Sequence, residues 1–173
     1  TNLRNVRYLT GFTGSAGHLV VTAGDAVLVT DERYGTQAPE QLRATGAAAR
    51  AEITTTAARD ATVAAIASAG DTVRIGLEAG SVTWAQQRTF ATEWFPGAEL
   101  VPTANLVEDL RLVKDDGEVA RIEAAAVIAD AALDAIRHRL LDGPTEAEFG
   151  LELDTATRRR GASERSFESL IAG

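Results

Sequence analysis

The sequence has no cysteine and no methionine, and only one lysine and two histidines among its 173 residues. Without thiols there is no disulfide framework, no thiolate metal site and no cysteine nucleophile, which fits a reducing compartment and gives a cytoplasmic expectation. Without methionine there is no initiator residue, so the expectation is a chain whose start was removed or that was cut from something longer. Thr1-Asn2-Leu3-Arg4-Asn5 is polar and does not open a signal peptide. No window approaches the roughly eighteen unbroken apolar residues of a membrane span, so no membrane partner is expected. A basic surface is also missing. The net charge of −8 disfavours nucleic acid, whose binding rests on cationic side chains displacing counterions. Sixteen Arg stand against the single Lys114, beside 33 Ala. The arginines are scattered along the chain, so they read as coding bias of a GC-rich genome rather than as a designed cluster of guanidinium sites.

What is present alternates between strand-like and helix-like runs over the first two thirds. His18–Thr22 and Ala26–Thr30 are short, apolar and β-branched, and Ala23-Gly24-Asp25 between them reads as a hairpin turn. Tyr34–Thr45 reads as a helix stopped at Gly46, and Ala51–Thr56 as a third strand. Asp60 is an N-cap for Ala61–Ala69, which Gly70 closes. Val73–Leu77 is a fourth strand candidate, Thr83–Phe95 a helix closed by Pro96-Gly97, and Leu100–Pro102 a short extended piece. This order predicts an α/β fold, a mixed β-sheet flanked by helices.

The pattern changes near Asn105. Asp115 and Glu118 carry a capping signature. Val119, Ile122, Ala126, Ala129, Leu133, Ile136 and Leu140 then recur at spacings of three and four, one apolar stripe on a helix of about seven turns. A coiled coil is the other reading of that spacing, against which stand an Ala-rich seam and irregular flanking charges. Gly143-Pro144 stops the helix, Thr145 and Glu148 start another that ends near Arg160-Gly161, and Ser166–Ala172 reads as a strand. Two helices and one strand make no sheet, so residues 110–173 are expected to be the start of a larger domain, and residues 1–109 a domain of their own. A lone strand at Ser166–Ala172 is expected to pair with another chain or to stay disordered.

Few residues carry chemistry. Gly11, Gly14 and Gly17 stand three apart, but a strand follows them rather than a helix N-terminus, so phosphate binding is disfavoured. The alternatives are a tight turn with close backbone packing and a loop facing a substrate pocket. His18 and His138 lack the convergent partners of a metal site. Ser15, His18 and Asp31 could form a triad on paper, but no Gly-Xaa-Ser-Xaa-Gly elbow is present. Asp31-Glu32-Arg33-Tyr34 follows a strand, where site residues often sit in α/β folds. The plainer reading has Asp31 capping a helix and Arg33 paired with a local carboxylate. Asp109, Asp115, Asp116 and Glu118 read as capping and solvated charge rather than metal ligands.

Several segments, in order, resemble the peptidase family that contains aminopeptidase P, prolidase and creatinase. Asn5-Val6-Arg7-Tyr8-Leu9-Thr10-Gly11-Phe12-Thr13-Gly14-Ser15 is similar to that family's N-domain signature, and Thr30-Asp31-Glu32-Arg33-Tyr34 to its second motif. Leu110–Ala120 resembles the junction into the catalytic domain. Gly143-Pro144-Thr145-Glu146, and Gly161-Ala162 with Ser166-Phe167-Glu168, resemble two markers beyond it. Each motif alone is weak, and five in sequence are strong.

The resemblance implies a creatinase-like N-terminal domain over 1–109, lacking a first strand that would lie upstream of Thr1. Residues 110–173 would open the "pita-bread" catalytic domain with two helices and a strand. It implies hydrolysis of the bond before proline in proline-containing peptides, by an Xaa-Pro aminopeptidase or dipeptidase using two divalent metal ions (Mn, Co or Zn). The family's five metal ligands and catalytic His residues would all follow Gly173. This chain by itself is therefore expected to hold no metal and to be inactive. The resemblance also implies a homodimer or higher homo-oligomer in which an N-domain reaches over a neighbour's active site. Arg7, Tyr8, Phe12, Arg33 and Tyr34 are the candidates for lining the substrate entrance. A non-catalytic peptide-binding relative and a creatinase-like hydrolase acting on a non-peptide are the other parents the resemblance allows.

Overall fold

A computed structural model describes residues 1–54, 58–67 and 74–172. The chain forms two compact units, Thr1–Leu112 and Val113–Gly173.

The first unit opens with helix α1 (Leu3–Thr10), which hydrophobic periodicity alone did not reveal. Its ends are set chemically. The Asn2 side chain accepts from Arg4 N–H, and Gly11, at φ 75°, closes the helix by donating to the Arg7 carbonyl. β1 (His18–Val21) and β2 (Ala26–Asp31) pair antiparallel, His18 opposite Val29 and Val21 opposite Ala26, as the hairpin reading expects. Asp31 accepts from Arg33 N–H and caps a 3₁₀ turn, Glu32–Tyr34. The following helix, α2 (Gln37–Thr45), therefore starts later than Tyr34, and it ends at Gly46 with φ 67°. β3 (Arg50–Thr54) lies parallel to β2, so the order is β1-β2-β3. The expected extension of that strand to Thr56 lies outside the described residues.

α3 (Ala58–Ala67) follows, with Asp60 in its first turn rather than at its N-cap. The Gly70 stop and Val73 lie outside the described residues. β4 (Arg74–Glu78) and β5 (Glu99–Thr103) form a second, parallel pair. Between them, α4 (Trp84–Thr89) starts with a capping box of Thr83 and Gln86, then widens into a π turn over Phe90–Trp94. Its Phe95 N–H donates to the Phe90 carbonyl at 2.8 Å. The expected single helix from Thr83 to Phe95 thus changes pitch. The widened turn accompanies a ring cluster in which Phe90 meets Trp94 at 4.9 Å and Phe95 at 6.2 Å. α5 (Leu106–Leu112) completes a unit in which a mixed sheet is flanked by helices.

β2 is buried on both faces, as its continuous apolar run requires. Leu28 packs with Val6, Phe12, Ala38 and Leu42, while Val27 and Val29 pack with Val20 and Ala65. One buried polar group, Asn5, ties α1 to β4 and α5. Its amide donates at 2.7 Å to both Glu78 Oε1 and Glu108 Oε1, and its carbonyl accepts from Arg111 Nη1 at 2.9 Å. Glu78 Oε2 accepts in turn from the Asn2 N–H (2.7 Å) and the Thr1 ammonium (2.9 Å). Burial works against the Glu78 carboxylate, but these donors outweigh it and hold its pKa below the usual value.

The second unit is a helical pair. α6 (Asp116–Ile136) begins with the expected Asp115–Glu118 capping box and runs into a 3₁₀ turn, Arg137–Asp142, closed by Gly143 at φ 65°. α7 (Glu146–Arg159) begins with the expected Thr145–Glu148 box. Ala132, Phe149 and Ala156 are buried, but Ile122 and Leu140 on the predicted stripe remain more than half exposed. Ser166–Ala172 is not the strand expected of it. It is irregular, and among the described residues it is paired with no strand. The segment follows α7 instead: Asp154 accepts from Arg165 Nη1 at 2.8 Å and from the Ser169 hydroxyl at 2.9 Å. Among the described residues, no helix is long and apolar enough to cross a membrane.

Both tryptophans lie in the first unit, so fluorescence reports its unfolding. Asn5→Ala should lower its stability in urea by on the order of 2–3 kcal/mol, because two carboxylates and a guanidinium lose a buried partner. An unchanged midpoint would show that water replaces the amide without cost.

His18 supplies a pH dependence. It is packed against Trp94 (5.5 Å between rings) and Phe90 (6.4 Å), and burial, then the nearby Thr1 ammonium, lowers its pKa from 6.5. The unfolded imidazole takes up its proton at higher pH than the folded one. The His18 contribution to stability is thus complete above pH 6.5 and is lost as pH falls through the folded value. The urea midpoint should fall between pH 7 and 5, and His18→Gln should flatten that slope.

Candidate functional site

The glycine-rich turn after α1 and the 3₁₀ turn after β2 meet at one end of the sheet. Gly11 needs its left-handed conformation, and a Cβ there would collide with the Thr45 methyl. A Cβ on Gly14 would overlap the Phe12 ring, so the turn is wrapped around Phe12 with no room to spare. The close-packing reading of Gly11, Gly14 and Gly17 is the one the geometry supports. Phe12 is 1% exposed and meets the Tyr34 ring edge-on at 5.4 Å, 87° between planes. Its side chain therefore lies beneath the surface and supports Tyr34 rather than presenting itself to solvent.

Above Phe12 the groups are polar. Ser15 N–H donates to the Tyr34 phenol oxygen at 3.1 Å, and the Ser15 hydroxyl lies 2.7 Å from the same oxygen. Arg33 is bidentate on Asp31, Nε to Oδ1 at 2.9 Å and Nη2 to Oδ2 at 2.7 Å, and its guanidinium carbon lies 5.3 Å from the Tyr34 ring centre. The plainer reading of Asp31 and Arg33 accounts for both contacts, yet it leaves Arg33 well exposed, 64% at the side chain. The Arg33 hydrogen bond pulls the Asp31 pKa down, and Asp31 raises that of Arg33. Bonding to Ser15, hydroxyl first and backbone second, lowers the Tyr34 pKa from 10.0.

The structure thus joins Phe12, Arg33 and Tyr34 in one stack and adds Ser15, which sequence reading weighed only for a triad. The signal was in the spacing, since Ser15 ends the turn that faces Tyr34. Arg7 and Tyr8 lie on α1, both exposed, and the Tyr8 hydroxyl donates to the Leu110 carbonyl at 3.2 Å. His18 is in the aromatic cluster described above, and His138 lies in the second unit's 3₁₀ turn. Among the described residues, no group of three or more His, Asp or Glu converges as a cation site would need.

The tyrosine coupling is measurable. In an ultraviolet pH titration, a phenol should ionise below the usual pH of about 10, and Tyr34→Phe should remove that early transition. Ser15→Ala should shift it upward without abolishing it. An unaltered titration curve in Tyr34→Phe would contradict the geometry.

Comparison with known proteins places this arrangement in context. Residues 1–113 match the Creatinase/Prolidase N-terminal domain family. An uncharacterized peptidase of Bacillus subtilis, YqhT, is 37% identical over 181 residues, covering 99% of this chain and 47% of that protein. The structure of an Xaa-Pro dipeptidase from Bacillus anthracis superimposes with a TM-score of 0.83 at 30% identity, over 96% of this chain and 45% of the other. That of an X-Pro aminopeptidase from Thermotoga maritima shares the fold, with a TM-score of 0.81 at 24% identity, over 95% and 45%. The chain spans about half the length of these relatives. A mixed sheet flanked by helices, a glycine turn wrapped on Phe12 and a family match over residues 1–113 agree, and the chain belongs to the creatinase/prolidase N-terminal domain family.

Proposed function

We propose that this chain is the N-terminal domain, with the first helices of the catalytic domain, of an Xaa-Pro peptidase that acts on proline-containing peptides as a homodimer or higher homo-oligomer. The observation that carries the reading is that similarity to a peptidase about twice as long runs across 99% of the chain rather than stopping at the domain match. Two divalent ions, Mn, Co or Zn, would supply Lewis-acid chemistry in the parent. Among the described residues, no group of three or more His, Asp or Glu gathers to hold them.

In this reading the N-domain shapes the way in to a neighbouring subunit's active site. Arg7, Tyr8, Arg33 and Tyr34 offer cationic and aromatic surface to a peptide. Arg33 is the best oriented of them, since Asp31 fixes its plane and Tyr34 supports one face. A proline-containing peptide has fewer backbone N–H groups to offer, so recognition must lean on ring contacts and on its carbonyls and charges. Phe12 contributes from below, by setting the position of Tyr34.

The purified parent, supplied with each of the three metals, should cleave Xaa-Pro peptides; failure with all of them sinks the activity. In that parent, Arg33→Ala should raise KM on the order of tenfold, with a smaller change in kcat, because it removes uniform binding rather than transition-state binding. Wild-type values of both constants in Arg33→Ala and in Tyr34→Phe would remove these residues from the entrance. Phe12→Ala is a poor probe of contact, since emptying that buried site costs about 3–5 kcal/mol of stability.

A further inference from the structure

The glycine-rich turn is held from α2 by Gln37 and Gln41, which converge on Thr13. Gln41 Oε1 accepts from the Thr13 N–H at 3.0 Å, and this fixes which way the Gln41 amide faces. Its Nε2 then donates to Thr13 Oγ1 at 2.9 Å, and Gln37 Nε2 donates to the same oxygen at 2.9 Å. Turning the Gln37 amide over would set its oxygen 3.4 Å from Gln41 Oε1, acceptor against acceptor. A hydroxyl has two acceptor positions and one proton. Both acceptor positions of Thr13 are taken by N–H groups, so the proton is what remains. Thr13 is exposed, and among the described residues no acceptor faces that proton.

The same count applies further along the turn. The Ser15 and Tyr34 hydroxyls lie 2.7 Å apart, and whichever of them donates, one O–H is spent between them and the other is not. Arg33 spends Nε and Nη2 on Asp31, and the rest of its N–H groups are left. The carboxylate beside them is covered: Asp31 Oδ1 accepts from the Arg33 N–H and Nε, and Oδ2 from Nη2. The backbone of the turn is also occupied, since the Phe12 N–H donates to Thr10 Oγ1 and the Ser15 N–H to the Tyr34 oxygen. This surface therefore keeps hydrogen-bond donors in reserve: the Thr13 proton, one proton of the Ser15–Tyr34 pair, and the guanidinium of Arg33.

We propose that Thr13 is a specificity-determining residue of the entrance, and that its hydroxyl, aimed by Gln37 and Gln41, donates to an acceptor oxygen of a proline-containing peptide. That oxygen is a backbone carbonyl or the terminal carboxylate. The inference rests on the peptidase reading above. A prolyl residue brings a carbonyl but no N–H, so such peptides are rich in acceptors and poor in donors. A surface whose unspent groups are donors is their complement. Gln37 and Gln41 are positioning residues, because they touch Thr13 rather than the peptide. By filling the lone pairs of Thr13 they leave its proton to point outward.

Steady-state kinetics on the parent protein tests this. Thr13→Val keeps the shape of the side chain and removes the hydroxyl. It should raise KM about fivefold with a smaller change in kcat, and Thr13→Ser should restore the wild-type value. Gln41→Glu separates aim from scaffolding. Its carboxylate still accepts the Thr13 N–H but also draws in the Thr13 proton, so KM should rise again. That penalty should vanish in the Thr13→Val background, whereas simple charge repulsion would persist there and overturn the positioning role. A Thr13→Val penalty equal in free-acid and amidated peptides identifies a backbone carbonyl as the acceptor, and one confined to free acids identifies the terminal carboxylate. The Tyr34 titration should be the same in every variant; a rise in KM with a shifted titration means that the turn has moved, and overturns the proposal. A wild-type KM in Thr13→Val, in a parent that cleaves the peptides, overturns it and leaves the peptidase reading standing. A wild-type parent that cleaves none overturns both.

Discussion

One buried carboxamide organises the first unit. Asn5 faces two carboxylates from different elements and uses both of its N–H groups on them, while its oxygen takes a guanidinium proton. An aspartate there would repel Glu78 and Glu108, and a leucine would take one donor from each of them. The amide thereby fixes where α1 starts relative to β4 and α5. The end of α1 fixes Gly11, and Gly11 delivers Phe12 beneath Tyr34. The surface stack of Ser15, Arg33 and Tyr34 is thus anchored, several steps away, by a hydrogen-bond network near the chain's first residues.

The chain's elements differ in how plainly residues announce them. The β1–β2 hairpin and both capping boxes of the second unit were legible because short-range chemistry decides them: Thr22 closes its turn on Asp25, and Asp115 and Glu118 satisfy each other's backbone N–H. α1 was not legible as a helix, because it is short and depends on Asn5 and Val6 being buried by remote elements. The π turn at Phe90 was hidden for a similar reason, since three aromatic rings clustering with His18 set it rather than local propensity. The error at Ser166–Ala172 has the opposite origin. A strand-like composition is only half of a strand, and the local pull of Asp154 decides the path where no ladder is present.

The candidate site shows the same division. Motif resemblance singled out Arg33 and Tyr34 but could not tell a displayed side chain from a supporting one, and Phe12 proved to be the latter. The distinction matters for how such families vary. The supporting residue answers to packing, whereas Arg33 is open to solvent. Asp31 serves both, since it caps a turn and orients a guanidinium with the same carboxylate.

The boundary between the compact units carries a chemical coincidence. They divide between Leu112 and Val113, and Lys114, the sole lysine, is exposed just beyond. Apart from the Thr1 amine, the chain therefore has a single aliphatic amine, and it stands at the junction. Lysine-specific proteases would act there and leave every arginine untouched, so the two halves could be severed at one defined point.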